Sequence, residues 1–356
     1  MPLMNPERVV LITGLPTFAA RHLLLTLVER EPNSNYYIIV PEHLRERLQS
    51  SLTAPLPDNV SVFTGDTVQI DLGLSGPEYV EIIDNVTDVY HMASIFYIGV
   101  DVKQARRVNV DGTLNMLQAA SEMPNLNRFN HFSTAFVSGD RTGVIMESEL
   151  NLGQKFRNPF ERTKYEAEIL IQKWRERLPI TIFRPTLIVG DSRTGEIDRT
   201  SMSGPYTLMK TMLGAPVDVA IPLPGKGDKP LNLVPIDWVC ESIHVLSRLE
   251  EAVDKTFHLA DSNPLSARAV FELVAVAGDR RLPRGRVPYP LSKLVLDLPF
   301  IKRLFLPHKQ FLEDFNQLAI FNLLNTTTLL EGQGRTCPPL STYIGRLVRY
   351  MVESGL

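Results

Sequence analysis

The chain has 356 residues, 44% of them hydrophobic and 22% charged, an ordinary globular composition with room for one large or two modest domains. A net charge of −3 supplies no basic footprint and argues against nucleic acid as a main ligand. Cys240 and Cys337 match no metal-binding spacing, and the first residues show no apolar signal region, so a reducing, cytoplasmic setting is expected and no metal site.

Residues 9–13 form a short β-branched run that ends at Gly14, the pattern of a buried strand. A dinucleotide-binding turn expects Gly-x-x-Gly-x-x-Gly here, and the chain has Gly14-Leu15-Pro16-Thr17-Phe18-Ala19-Ala20. Ala20 is a mild change. Thr17 brings a β-branched side chain to a place where unusual backbone angles and phosphate approach favour glycine. Residues 20–30 follow with helical spacing, and 36–40 read as a second strand ended by Pro41. No acid stands there for a ribose diol; His43, Arg45 and Arg47 lie nearby and lean toward a 2′-phosphate. After a third strand at 60–63 comes Gly65-Asp66-Thr67, where a carboxylate can accept from an adenine amino group. A fourth strand, 86–91, runs into Met92-Ala93-Ser94 at the edge of the sheet where such folds bind ligands.

Residues 108–121 read as a helix carrying Asn109-Val110-Asp111-Gly112-Thr113, residues 129–137 as a fifth strand, 163–177 as a helix and 180–184 as a sixth strand. Strands alternating with helices at this pitch imply a parallel sheet covered on both faces. Beyond Gly190 the pattern loosens, with a strand at 231–236, a helix at 238–249, a strand at 257–259 and a mainly helical remainder. The apolar segment 291–312 is interrupted by Lys293, Asp297, Pro299 and Pro307, too often to span a bilayer, and is expected to form a helical cap or lid. We expect a dinucleotide-binding core at 1–190, rejoined by 231–260, with a substrate region at 191–230 and 261–356.

The stretch Asn158-Pro159-Phe160-Glu161-Arg162-Thr163-Lys164 has the layout of a Tyr-x-x-x-Lys helix with the tyrosine replaced. Residues four apart share a helical face, so such a phenol and ammonium act together on a carbonyl. Phe160 keeps the ring and loses the proton. Tyr165 is adjacent but about 100° round the helix. His91 and Tyr97 are the candidate substitute acids.

Together with Phe132-Ser133-Thr134, Phe183-Arg184-Pro185 and Val234-Pro235-Ile236-Asp237-Trp238, these segments resemble the extended short-chain dehydrogenase/reductase superfamily, nearest its male-sterility, thioester-reductase or fatty acyl reductase-like branch. The resemblance covers about the first 260 residues. It implies a Rossmann-type doubly wound α/β fold with a smaller, mainly helical C-terminal substrate domain, and reduction of a coenzyme- or carrier-protein-bound acyl group with NADPH. It makes Thr134 the hydroxyl that bonds the reacting carbonyl, and Lys164 the partner of the nicotinamide ribose. It places Gly14, Thr17, Phe18 and Ala20 on the phosphate turn, with Asp66, Thr67, Ala93, Asn109 and Arg45 as further cofactor contacts. Lookalike proteins pair as homodimers through helices equivalent to 108–121 and 163–177. With Phe160 and Thr17 both departing from the pattern, two alternatives stay open: a non-redox enzyme such as a dehydratase, isomerase or cyclase in the same pocket, and a cofactor-free binding module whose pocket Phe18 and Phe160 fill.

Overall fold

The structure, a computed structural model, describes residues 8–52, 54–96, 99–199, 205–214, 223–224, 226–284, 286–287 and 317–355. All five residues of the first run, β1 (Val9–Thr13), are buried, because this strand lies inside a seven-stranded sheet. Its sheet partners are β2 (Asn35–Val40), β3 (Val60–Thr64), β4 (Asp88–His91), β5 (Arg128–Phe132), β7 (Ile180–Pro185) and β11 (Thr256–Leu259). The order is β11-β7-β5-β4-β1-β2-β3, and every pairing is parallel. Strand order therefore reverses between β1 and β4. Connections leave in opposite directions from these two neighbours, which opens a crevice at their carboxyl ends. Three further pairs lie outside the sheet: β6 (Gly143–Ile145) with β13 (Ala319–Phe321), β8 (Leu187–Val189) with β10 (Leu233–Pro235), and β9 (Leu223–Pro224) with β12 (Arg286–Val287).

On one face of the sheet α1 (Phe18–Arg30) and α8 (Ile236–Arg248) bury Leu23, Leu24, Leu27, Val239 and Ile243 against Val10, Ile12 and Ile38. On the other, α3 (Gly76–Asn85), α5 (Gly112–Glu122) and α6 (Pro159–Gln172) bury Ile82, Met116, Leu117 and Ile171 against Leu11, Val89 and Phe129. Each such side chain contributes about 1.5–3 kcal/mol. Between α3 and α6 the chain also forms α4 (Val102–Arg106); α2 (Arg45–Ser51) follows β2. A separate core joins α7 (Pro205–Gly214), α9 (Ala267–Ala277) and α11 (Ile344–Glu353) through Met209, Phe271 and Leu347, and α10 (Leu324–Glu331) packs Leu330 on the main core.

Three elements near the crevice differ from their expected bounds. The helix expected from 163 begins at Pro159, because Asn158 caps it by accepting from the Glu161 amide at 2.9 Å and Pro159 suits the first helical position. Phe160 thus lies in its first turn. The fifth strand stops at Phe132, and Ala135–Ser138 is a 3₁₀ turn capped by Thr134. The helix expected over 108–121 begins as a π-helical turn at Arg107–Asp111, which joins α4 ahead of it to α5. The expected cap at 291–312 lies outside the described residues.

Candidate active site

Gly14 adopts φ +97°, and a Cβ there would stand 2.5 Å from the Met92 carbonyl carbon and 2.7 Å from the Ala93 nitrogen. The turn after β1 is thus pressed against the backbone after β4, an approach only glycine permits. Thr17 does not carry the strain expected of it. Its backbone is ordinary extended chain (φ −60°, ψ 151°), and its hydroxyl accepts from the Ala20 amide at 3.4 Å as the N-cap of α1. Ala20 is fully buried, packs in the core and does not line the cavity beside this turn.

A cavity of about 840 Å³ opens at this end of the sheet. It is within the range of ligand pockets. Eight of the residues singled out from the sequence line it: Gly14, Thr17, Phe18, Asp66, Thr67, Ala93, Thr134 and Phe160. Phe18 and Phe160 form walls, so the filled pocket expected of a binding module is not found. Arg45 does not line the cavity; its guanidinium bonds the Thr64 hydroxyl, and the short turn at Glu42–Leu44 brings His43 and Arg47 to the cavity instead. His43 and Arg47 were thus singled out from the sequence for the cofactor side and do line the cavity, whereas sequence reasoning missed Phe96, Phe136, Arg107, Asp198 and Tyr206 in the wall. Phe96 immediately precedes Tyr97, which lies outside the described residues; the others carried no motif signal.

A dinucleotide fits this arrangement. Near the N-terminus of α1, whose first amides have no intrahelical partner, Gly14 leaves the space that a Cβ would take, and Phe18 and Ala19 line the cavity.

At the other end of the cavity, Thr134 Oγ accepts from the Phe136 amide at 3.3 Å. That bond uses a lone pair and leaves the hydroxyl proton for a ligand. The Phe160 ring packs on Phe96, centroids 4.7 Å apart, and Tyr165 packs instead on Phe156, 4.8 Å apart, outside the cavity wall. Lys164 is buried and does not line the cavity. Its Nζ donates to the Phe132 carbonyl at 2.6 Å, and burial lowers its pKa to about 8. One turn on, Glu168 receives the Ser133 hydroxyl and the Arg184 guanidinium, which reaches its two oxygens at 2.6–3.1 Å.

His91 is no substitute acid. It is fully buried, with Nδ1 2.9 Å from the Thr13 hydroxyl and Nε2 3.0 Å from that of Thr113. Thr113 spends its proton on the Asn109 carbonyl, so His91 donates through Nε2 and accepts at Nδ1. Burial, assisted by the Lys164 charge, lowers its pKa to about 3. It is a neutral bracket across β1, β4 and α5. Asn109 is likewise buried outside the cavity wall. It accepts from the Ile95 amide at 2.8 Å and donates to the Thr163 hydroxyl at 2.9 Å, clamping the loop after β4 to α6.

A sequence profile of the male sterility protein family, an NAD-binding family, matches residues 12–243, from β1 through most of α8. The chain belongs to this family. Among similar proteins, the fatty acyl-CoA reductase wat of Drosophila melanogaster is 30% identical over 212 residues, 52% of this chain and 40% of its own length. The chain therefore spans less than half of that relative. The terminal R domain from the myxalamid PKS-NRPS biosynthetic pathway shares the fold with a TM-score of 0.84 at 23% identity, over 99% of this chain and 92% of that one. A thiolation-reductase di-domain from an archaeal non-ribosomal peptide synthetase shares it with a TM-score of 0.75 at 18% identity, over 98% and 76%. The male sterility family resemblance and the Rossmann-type sheet expected from the sequence are both found. Among the described residues no helix is long and apolar enough to cross a membrane.

Proposed function

We propose that the protein is a nicotinamide-dependent reductase of acyl thioesters, using NADPH, with the acyl group carried on coenzyme A or on a carrier protein. The observation that carries this reading is that one cavity joins the Gly14 phosphate turn to a Thr134 hydroxyl whose proton is free to meet a carbonyl oxygen. When bound, the nicotinamide supplies a hydride. The chain's own residues do the rest. The amides of Phe18 and Ala19 face the diphosphate, Asp66 receives the adenine amino group, and Thr134 orients the carbonyl. Lys164, held on the Phe132 carbonyl, supplies positive charge beneath the reacting end. His43 and Arg47 stand where a diol-binding acid would favour NADH, and they suit a 2′-phosphate. The carrier is supported by the thiolation-reductase likeness, and the acyl-thioester substrate by the fatty acyl-CoA reductase relative.

Calorimetric titration tests the cofactor directly. NADPH should bind at least about tenfold tighter than NADH, one charge-assisted contact being worth about 1.5–3 kcal/mol. Arg47→Ala should weaken NADPH and leave NADH unchanged. Failure of the wild type to bind either at millimolar concentration overturns the reading. A cytoplasmic location and a homodimer formed through α5 and α6 belong to the same proposal; sedimentation equilibrium decides the dimer.

A further inference from the structure

We propose that Arg107 forms a phosphate-binding subsite in the cavity wall, separate from the His43 and Arg47 pair. The inference rests on the thioester-reductase reading above, because the phosphate belongs to the dinucleotide or to the carrier of the thioester. Gln104, Arg107 and Val108 all line the cavity. They stand three and four residues apart, so one face of the helix that starts at Val102 is turned to the ligand space. Arg106 lies about 100° round that helix and points elsewhere: its guanidinium pairs with Glu166 on α6, which also receives Arg162 at 3.0 Å. The Arg107 side chain makes no hydrogen bond or ion pair among the described residues. Asp66, Glu161 and Asp198 are the acids of the same wall, and no ion pair joins any of them to it. Nor does Arg107 cap a helix. Its amide donates to the Lys103 carbonyl and its own carbonyl accepts from the Gly112 amide, so the ladder runs on and leaves no terminal carbonyl to serve.

The π-helical turn that begins at Arg107 gives the residue its place. Two positions on, Asn109 holds the Ile95 amide; five positions on, Gly112 abuts Thr67, where an added Cβ would stand 3.0 Å from the hydroxyl. The turn therefore runs along the cavity from the loop after β4 to the loop after β3. Turns of this kind gather at functional sites. A guanidinium that faces a ligand cavity with no counter-charge from the protein is set to meet an anion from outside. Its planar fork matches phosphate, two N–H donors meeting two oxygens. The reductase reading supplies that chemistry from two sources. Both dinucleotides carry a diphosphate, for which the turn after β1 offers only neutral amides. Coenzyme A and carrier proteins alike hold the thioester on a phosphorylated pantetheine arm. The 2′-phosphate assigned to His43 and Arg47 is a third group, present in NADPH alone, and this difference makes the sources separable.

Calorimetry on the intact protein tests the subsite, with NADPH, NADH, coenzyme A and pantetheine, which has no phosphate, as the four probes. Arg107→Met should weaken binding by about tenfold in one of two patterns. Equal loss for NADPH and NADH assigns the subsite to the cofactor diphosphate. Loss for coenzyme A, with pantetheine and both dinucleotides unchanged, assigns it to the phosphate of the thioester carrier. Arg107→Lys keeps the charge without the fork and should recover part of the loss. Arg106→Met removes the same charge one residue away, from a group already paired on the outer face, and should move each constant less than about twofold. Since the Arg107 side chain makes no polar contact among the described residues, its variants should unfold at the wild-type temperature. Loss for NADPH alone would join Arg107 to the 2′-phosphate pair and overturn the separate subsite. Constants unchanged in Arg107→Met, or moved equally by Arg106→Met, overturn the inference and leave the reductase reading standing. A wild-type protein that binds neither dinucleotide at millimolar concentration removes that reading and the inference with it.

Discussion

The Glu168 carboxylate shows how much of the site's rigidity is held beneath the cavity rather than in it. It is fully buried, as is its partner Arg184, whose other donors reach the Glu147 and Glu149 carbonyls at 3.3 and 2.9 Å. The pair fixes α6 against β7 and so sets the height of Phe160 and Lys164. Glu168→Ala leaves a buried guanidinium without its counter-charge, and should cost about 3–5 kcal/mol in urea denaturation. Arg184→Met in the same chain should recover part of that loss; additive losses would mean that the pair is not coupled. Thr17 makes the opposite point. Since its hydroxyl caps α1 and its backbone is unstrained, Thr17→Gly should change NADPH affinity by less than about threefold and stability by a few tenths of a kcal/mol. A large gain in affinity would show that the threonine obstructs the phosphates. At this scale the sequence was legible where spacing carries meaning. Gly14, Asp66, Thr134 and Phe160 each stand at a fixed offset from a strand or helix end and reach the cavity. Arg45 and His91 were misplaced because burial and pointing direction depend on a three-residue turn and on strand neighbours, which spacing does not encode.

Among the elements, the π-helical turn at Arg107–Asp111 has the largest effect on the site. It separates α4 from α5 and sets Asn109 inward, where one side chain holds the Ile95 amide and the Thr163 hydroxyl. The loop carrying Phe96 is thereby tied to the helix carrying Phe160. Asn109→Ala leaves the Ile95 amide unpaired in a part-buried setting, at a cost of about 1–3 kcal/mol. Hydrogen exchange at Ile95 should quicken by about tenfold or more, and KM for the thioester should rise more than kcat falls. Unchanged exchange at Ile95 would show that the clamp is not needed. The alternation of strands and helices revealed the parallel sheet, because period 2 and period 3.6 are visible in a short window. The π turn was invisible, because it inserts a residue without breaking the apolar pattern of 108–121. The early start of α6 was readable in retrospect from Asn158-Pro159, a cap followed by proline.

Across the whole molecule, burial of neutral histidines sets the response to acid. His91, His131 and His258 all lie within or against the sheet with no exposed surface. Burial lowers each pKa, assisted by the Lys164 charge at His91 and His131 and by Arg184 at His258; the values are about 3 for His91 and His258, and His131 lies well below its usual range. In the unfolded chain each takes up a proton near pH 6.5. As pH falls from about 6.5 toward 3 the unfolded state therefore binds protons that the folded state refuses, and stability falls. Each such histidine contributes a slope of about 1.4 kcal/mol per pH unit in that window. The carboxylates add a second loss that begins at about pH 4.3, within the lower part of that window, and continues below it. Glu31 is held to about 2 by His244 and Arg8 against the opposing effect of burial, and Glu196 to about 2 chiefly by His22 and Arg21. Both favour the folded state above their unfolded pKa, and that contribution disappears as pH falls through about 2. Lys164 acts at the alkaline end. Its folded pKa of about 8 lies below that of the free side chain, so stability gains from it as pH rises from about 8 toward 10.5. His131 isolates the histidine effect, since both its ring nitrogens are buried without a hydrogen-bond partner among the described residues and it does not line the cavity described above. His131→Leu should leave neutral-pH stability level or improved, because it removes two unsatisfied polar atoms, and should cut the slope of unfolding free energy against pH between 6 and 4 by about a third. An unaltered slope would mean that His131 is protonated in the folded chain, and that the interior beneath the site is wetter than its packing implies.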